Sequence, residues 1–428
     1  MAVTARPTTG PAAAAGLRIV LTVLAPFAAG YFLSYLFRSV NAVVGPRLVA
    51  DIGLSATGLG LLTSAYLLAF ALFQLPLGIL LDRFGPRRVQ AALLASAALG
   101  ALLFAAGDSL ATLTVARALI GLGFAGGLMS GFKAVVLWVP EPRRALANAA
   151  VMSFGALGSL VATVPVELAV EAVGWRAVFA LLAAITLAVA VLIVAIVPER
   201  DAVGPGQALN LQLAALLRIG QDPVFWRIAP VMATTAGTHI AIQTLWAGPW
   251  LRDVAGLDRI GVANYLMAMA IGFLIGILSM GAIADWLVRR GVDLLTVMLG
   301  FLLLSFAAQL AIVLQWTSVS LPVWTLFGLA GQAAILGYPW LAAHYGAAVS
   351  GRANTAINLL TFLAAFGAQY AIGAIIDLFP APAEGYSARG YQVGFGTFFV
   401  LQLLALAWYL PGRRALLAIS AGSGERAA

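Results

Sequence analysis

From about residue 19 to the Leu410–Pro411 pair, mostly apolar stretches follow one another, each bounded by Pro, Gly or charge. A helix that crosses a bilayer needs about 20 such residues, and twelve stretches meet that length: 19–46, 58–80, 88–106, 110–138, 145–168, 175–197, 226–250, 260–284, 292–315, 320–348, 352–379 and 393–411. The rest of the composition agrees. Hydrophobic residues make up 62% of the chain, charged residues 9%, and the mean hydropathy is +1.01, so the solvent for most of the surface is lipid. The expected fold is an all-α membrane protein of twelve transmembrane helices. The first stretch reads as helix 1 rather than a cleavable signal, because Tyr31, Tyr35, Arg38 and Asn41 interrupt it and no small-residue cleavage site follows. There is no cysteine, which excludes disulfides, thiolate metal sites and a cysteine nucleophile.

The net charge of +8 falls on short loops rather than on a basic stretch interleaved with aromatics, so it points to membrane topology and away from nucleic acid. With the N-terminus inside, Arg83, Arg87, Arg88, Arg143, Arg144, Arg289, Arg290, Arg413 and Arg414 lie on the cytoplasmic side. Fewer lie outside: Arg47, Arg176, Arg252, Arg259 and Arg389. Both termini are then cytoplasmic and the expected location is a bacterial inner membrane. The longest polar interruption divides the chain into a tail (1–18), a six-helix bundle (19–197), a linker (198–225), a second six-helix bundle (226–411) and a tail (412–428). Within the linker, Glu199, Arg200, Asp201, Gly204 and Pro205 precede a short amphipathic helix over Leu209–Arg218 on the membrane surface.

The two bundles echo each other. After helix 2 the chain reads Gly78-Ile-Leu-Leu-Asp82-Arg83-Phe-Gly85-Pro-Arg87-Arg88, and after helix 8 it reads Gly281-Ala-Ile-Ala-Asp285-Trp-Leu-Val-Arg289-Arg290. Duplicated transporters place their sites between the repeats near the midplane. The pattern at 78–88 resembles the signature of the major facilitator superfamily. The resemblance covers essentially the whole chain and implies two pseudo-symmetric bundles, monomeric function and no cofactor. It also implies a cytoplasmic gate built from Gly78, Asp82, Arg83, Arg87 and Arg88, with Asp285, Arg289 and Arg290 as its second copy. Arg117-Ala-Leu-Ile-Gly121-Leu-Gly123 is similar to the family's helix 4 motif, and Gly174-Trp175-Arg176 to its junction before helix 6. Tyr35-Leu-Phe37-Arg38, followed by Pro46, partly resembles helix 1 of the organic anion:cation symporters, where the arginine helps bind the anion. The chain departs from that group at Phe37 and Phe124, which stand where carboxylates are usual, and it lacks the helix 5 motifs of drug:proton antiporters and nitrate transporters.

Ionisable side chains inside a spanning helix face the bundle interior or water. Arg38, Arg117 and Lys133 qualify. Tyr31, Ser34, Tyr35, Arg38 and Asn41 recur every three or four residues and form one polar stripe on helix 1. Lys133 is the only lysine among 24 basic residues. An ammonium is a compact charge whose proton burial can release, whereas a guanidinium keeps its own, so Lys133 is read as a contact for a substrate anion or for the coupling proton; the alternatives are interfacial exposure or a pair with Glu141. On helix 7, His239, Gln243, Trp246 and Trp250 fall on one helical face; an imidazole ordinarily titrates near neutrality, so His239 is read as a candidate for coupling proton movement, with a hydrogen-bonded packing role as the alternative. Tyr338, Gln332 and His344 on helix 10 and Asn354, Asn358, Thr361 and Gln369 on helix 11 complete the expected wall. Glu167 and Asp377 near the outer ends read as ordinary solvated carboxylates.

The reading that follows is secondary transport of a small organic anion by alternating access, with a proton as coupling ion and lipid as the surrounding partner. Export of amphipathic compounds or lipids is the alternative, and a non-transporting receptor or assembly factor a further one. No metal-ligand cluster, nucleophile with a base, or pair of carboxylates can be assembled, so an enzyme is not expected.

Overall fold

The computed structural model describes residues 18–199, 209–346, 349–380, 382 and 385–424; the tail before 18, Arg200, Asp201, Gly204, Pro205 and the last four residues lie outside them. Ten helices among the described residues are long and apolar enough to cross a membrane. One of these, Ala56–Ala106, has 51 residues. At about 1.5 Å per residue it would run more than twice the roughly 30 Å of a hydrocarbon core, and it folds back at Gly85, whose φ of 74° is open to glycine. It therefore supplies two crossings, α2 (56–84) and α3 (86–106). A further one, α7, is cut into Pro223–Ala241, a π turn over Ile242–Trp246 and Ala247–Asp253. With these adjustments the architecture is consistent with twelve crossings.

The remaining elements follow in order. α1 comprises Val20–Leu24, Ala25–Ser39 and Asn41–Ile52, and α4 comprises Leu110–Phe124 and Gly127–Trp138. α5 is Arg144–Val161 continued over 164–173, and α6 is 175–196, the two meeting at Gly174 with φ 79°. α8 is Arg259–Val288, α9 Leu294–Val313, α10 Ser320–Ala330 with Gly337–Tyr345, and α11 Ser350–Ile376. α12 runs from Ala388 to Gly424. It passes the expected stop at Leu410, because Pro411 removes one backbone donor without ending the helix. The linker carries a helix at Leu209–Gly220.

Call the face that carries Arg87, Arg88, Arg289 and Arg290 the basic face. The opposite face is closed. There α1 and α7 touch so tightly that a β-carbon on Gly248 would lie 1.9 Å from the Ala42 carbonyl oxygen, and Leu245 packs against Gly45. Asp377, just past α11, accepts hydrogen bonds from the backbone N–H groups of Ala56 (3.0 Å) and Thr57 (2.7 Å). These are orphan donors in the first turn of α2, where a negative charge is favoured, and Ser55 caps the same turn through Gly58 N–H. Burial raises the Asp377 pKa, but these hydrogen bonds, with others from the Thr57 and Ser55 side chains, outweigh it and hold the carboxyl below its usual value. Glu167 pairs with Arg47 at 2.5 Å, and Trp175 Nε1 donates to Asp51 at 2.7 Å, which ties the Gly174 junction to the end of α1. Neither Glu167 nor Asp377 is merely solvated.

Gly248→Val is expected to force this seam apart, so that a cysteine introduced at the buried Leu245 reacts with a maleimide in the double variant but not in the Leu245→Cys single variant. A carboxyl whose folded pKa is depressed keeps its stabilising effect above the unfolded value, about 3.9, and loses it as pH falls through the lower folded value. Labelling of Leu245→Cys, taken relative to a free thiol at the same pH because the thiolate is the reacting form, is accordingly expected to stay constant from pH 8 to pH 5, and to be higher at every pH in that range when Asp377→Ala is added.

Candidate functional site

A cavity of about 800 Å³ lies between the two sets of helices. It starts at Arg38, near the middle of α1, and reaches Asp82, Lys133, Leu216 and Arg352 at the basic face. Seven of the expected binding residues line it or its mouth: Tyr31, Tyr35, Arg38, Lys133, Gln243, Tyr338 and Asn358. Gln332, Asn354 and Thr361 also line it.

Arg38 is 7% exposed. Its guanidinium carbon lies 4.7 Å from the Tyr35 ring centre, 5.0 Å from Phe70 and 5.1 Å from Phe362. Phe70 on α2 and Phe362 on α11 meet each other at 4.4 Å between ring centres, so rings from both halves of the chain hold the cation. Ring faces attract a guanidinium but accept no strong hydrogen bonds. Nε of Arg38 has no hydrogen-bond partner, and among the described residues no carboxylate pairs with it. Arg38 thus presents a desolvated positive charge at the inner end of the cavity. Sequence reasoning missed Phe70 and Phe362, since an aromatic that cradles a cation looks like any core phenylalanine.

Arg117 does a different job. It is fully buried, donates from Nη1 to the Phe37 carbonyl at 3.0 Å and lies over the Tyr66 ring at 5.2 Å. That carbonyl is beside the interruption of α1 at Val40, so Arg117 braces the bend. Past the bend, Asn41 leaves the stripe that faces the cavity and donates to Thr63 at 2.9 Å, fully buried.

The π turn in α7 breaks the second expected stripe in the same way. A π turn holds more residues than an α turn, so positions on either side no longer share a face. Gln243 lines the cavity. His239 is buried against the Phe327 ring at 4.5 Å, and Trp246 is buried with its Nε1 donating to the Gln369 carbonyl at 2.9 Å. Gln369 in turn donates to Thr244 at 3.1 Å. Neither His239 nor Trp246 lines the cavity. His344 stacks on Trp340 and sits 3.7 Å from Asp222 at the start of α7, again away from the lining.

Lys133 has a partner, and it is not Glu141: its Nζ lies 2.7 Å from Asp82 Oδ1. The acidic residue of the 78–88 pattern therefore neutralises the chain's one lysine at the cavity mouth, where Gly78 also lines the wall. Arg87 and Arg88 both pair with Glu199, Arg87 at 3.2 Å, and Arg83 lies over Phe84. Asp285 and Arg289 are exposed, and Arg290 lies over Trp286 at 3.7 Å. Among the described residues no hydrogen bond or ion pair links the two copies of the pattern, and the cavity is open on this side.

Residues 27–369 match the model of the Major Facilitator Superfamily, and the chain belongs to that family. A probable sulfoacetate transporter of Cupriavidus necator is 31% identical over 157 residues, 37% of this chain and 36% of that protein. A probable galactarate/D-glucarate transporter of Bacillus subtilis is 29% identical over 167 residues, again 37% and 36%. The chain thus spans about a third of the length of these curated relatives. Among solved structures, a bacterial homolog of the human lysosomal transporter Spinster, inward-facing and unoccupied, superposes with a TM-score of 0.73. The superposition covers 92% of this chain and 97% of that one at 18% identity, a likeness of fold.

The side chains of Asp82 and Lys133 are 37% and 29% exposed, so water screens their attraction and the pair is worth at most about 1 kcal/mol. A double-mutant cycle with Asp82→Asn and Lys133→Met, read by thermal unfolding, is expected to give a coupling no larger than that; about 3 kcal/mol would mark a buried structural pair instead.

Proposed function

We propose that this protein is a secondary transporter that moves a small organic anion across a bacterial inner membrane by alternating access. The carrying observation is Arg38: a cation held by rings, with no carboxylate partner among the described residues, at the inner end of a cavity between the chain's two sets of helices. A cation at membrane depth is expensive, and an anion that arrives from water offsets that cost while it is bound. The similarity to a probable sulfoacetate transporter and a probable galactarate/D-glucarate transporter agrees with an anionic substrate.

On this reading 19–197 and 226–411 rock against each other as a monomer. The basic face is cytoplasmic by the positive-inside rule, with both termini on that side, so the cavity faces inward. Gly78, Asp82, Arg83, Arg87, Arg88, Asp285, Arg289 and Arg290 close that face in the opposite state, which requires Asp82 to leave Lys133. The coupling ion is a proton on this reading, and Lys133, the one lysine of the chain, is its proposed site. Tyr31, Tyr35, Gln243, Tyr338 and Asn358 orient the anion. The phenylalanine-lined walls, with Phe70, Phe124, Phe132, Phe273 and Phe362, favour export of amphipathic compounds as a second reading.

Binding raises unfolding temperature by mass action. Organic carboxylates are expected to stabilise the detergent-purified protein but not Arg38→Gln, whose own unfolding temperature stays within a few degrees of the parent. Stabilisation by hydrophobic cations alone, equal in both proteins, would replace this reading with the second one. Lys133→Arg keeps the charge pair but holds its proton, so it is expected to retain anion exchange in proteoliposomes and to lose at least tenfold in uptake driven by a proton gradient.

A further inference from the structure

We propose that the cavity selects a monoanion and discriminates against dianions of the same length. The inference rests on the reading of Arg38 as the anion site.

The ionisable acids and bases among the described lining residues, tyrosines aside, are Arg38, Asp82, Lys133 and Arg352. Asp82 and Lys133 neutralise each other. Arg352 is in the first turn of α11, ten positions before Phe362, and Asp82 is twelve positions along α2 from Phe70. At about 1.5 Å rise per residue, those separations put the mouth charges roughly 15 and 18 Å from the rings that hold Arg38. The five C–C bonds of a six-carbon diacid, at about 1.5 Å each, hold its end carbons no more than roughly 8 Å apart. A diacid anchored at Arg38 therefore leaves its second carboxylate short of any mouth cation.

What that second carboxylate meets instead is a wall without a further cation: rings and aliphatic groups, with the uncharged amides and hydroxyls of Gln243, Gln332, Asn354, Asn358 and Thr361 among them. Tyr31 and Tyr35 pack edge to face at 5.1 Å, Tyr35 and Phe273 lie 6.1 Å apart, and Phe124 and Leu128 line the space nearby. The amide of Gln74 is already spent on the Ala125 carbonyl at 3.0 Å. A second negative charge without a cation in such surroundings is disfavoured, whereas an uncharged body is not, and hydroxyls on it have the amides and hydroxyls of the wall as partners. Here the chain diverges from the relatives named above, since sulfoacetate and glucarate each carry two acidic groups.

Four six-carbon acids separate the two variables. Hexanoate has one carboxylate and an apolar body, gluconate one and hydroxyls, adipate two and an apolar body, glucarate two and hydroxyls. Binding to the full chain in nanodiscs at neutral pH would be measured by calorimetric titration, beside Arg38→Gln, Arg38→Lys and the neutral probe hexanamide. The expected result is hexanoate bound at least tenfold more tightly than adipate, and gluconate at least tenfold more tightly than glucarate, with binding weakened in Arg38→Lys and lost in Arg38→Gln and both variants unfolding near the parent temperature. Adipate or glucarate binding as tightly as hexanoate, with loss in Arg38→Gln, overturns the monoanion inference and leaves the anion site standing. Hexanamide and hexanoate binding alike in parent and Arg38→Gln, or none of the acids binding to folded protein, overturns the anion site itself.

Discussion

A guanidinium cannot shed its proton to escape a dry environment, so each arginine inside this bundle has to be compensated where it stands. The chain meets that demand in two ways. Arg117 is given a carbonyl and a ring and becomes part of the scaffold. Arg38 is given rings and the Tyr66 hydroxyl but no carboxylate among the described residues, which leaves its Nε without a partner and its charge directed to whatever enters the cavity. The bend of α1 lies between these two outcomes: Arg117 braces the strand of backbone from which Arg38 projects, so a residue with no access to the cavity sets the position of one that has it.

The two faces of the molecule are held by different physics. On the closed face, contact is made by backbone: a glycine against a carbonyl, and a carboxylate on the first turn of a helix. Such contacts are short and intolerant of added atoms. The basic face carries long charged side chains whose ion pairs stay within the first half or reach the start of the linker, as with Lys133 on Asp82 and Arg87 and Arg88 on Glu199. Exposed pairs of this kind are individually weak and exchange partners readily. That difference explains why the open cavity is compatible with an intact set of ion pairs.

Much of the fold was legible because lipid imposes one rule on every segment, and length and hydropathy reveal it. The bends at Gly85 and Gly174 fall where the sequence has a turn. The end of α12 was not legible, since proline marks a missing donor rather than a stop. Within the site, the helix 1 stripe held as far as Arg38 and failed at Asn41, and the helix 7 stripe kept Gln243 and lost His239 and Trp246. Both failures share a cause: a stripe presumes an unbroken 3.6-residue period, while the interruption at Val40 and the π turn at Ile242–Trp246 reset it. Asp82 and Lys133 were each singled out, yet their meeting was hidden, because they are 51 positions apart on different helices. Phe70 and Phe362 carried no signal at all.

The cap on α2 has a bearing on how the chain is made. Asp377 lies 321 positions after the Ala56 N–H it accepts, so when α2 leaves the ribosome the carboxylate that completes its first turn does not yet exist. Until α11 has been inserted, that turn is held by Ser55 alone. The amino-terminal end of an early helix is thereby finished by a residue made 321 positions later, and closure of that face waits for α11.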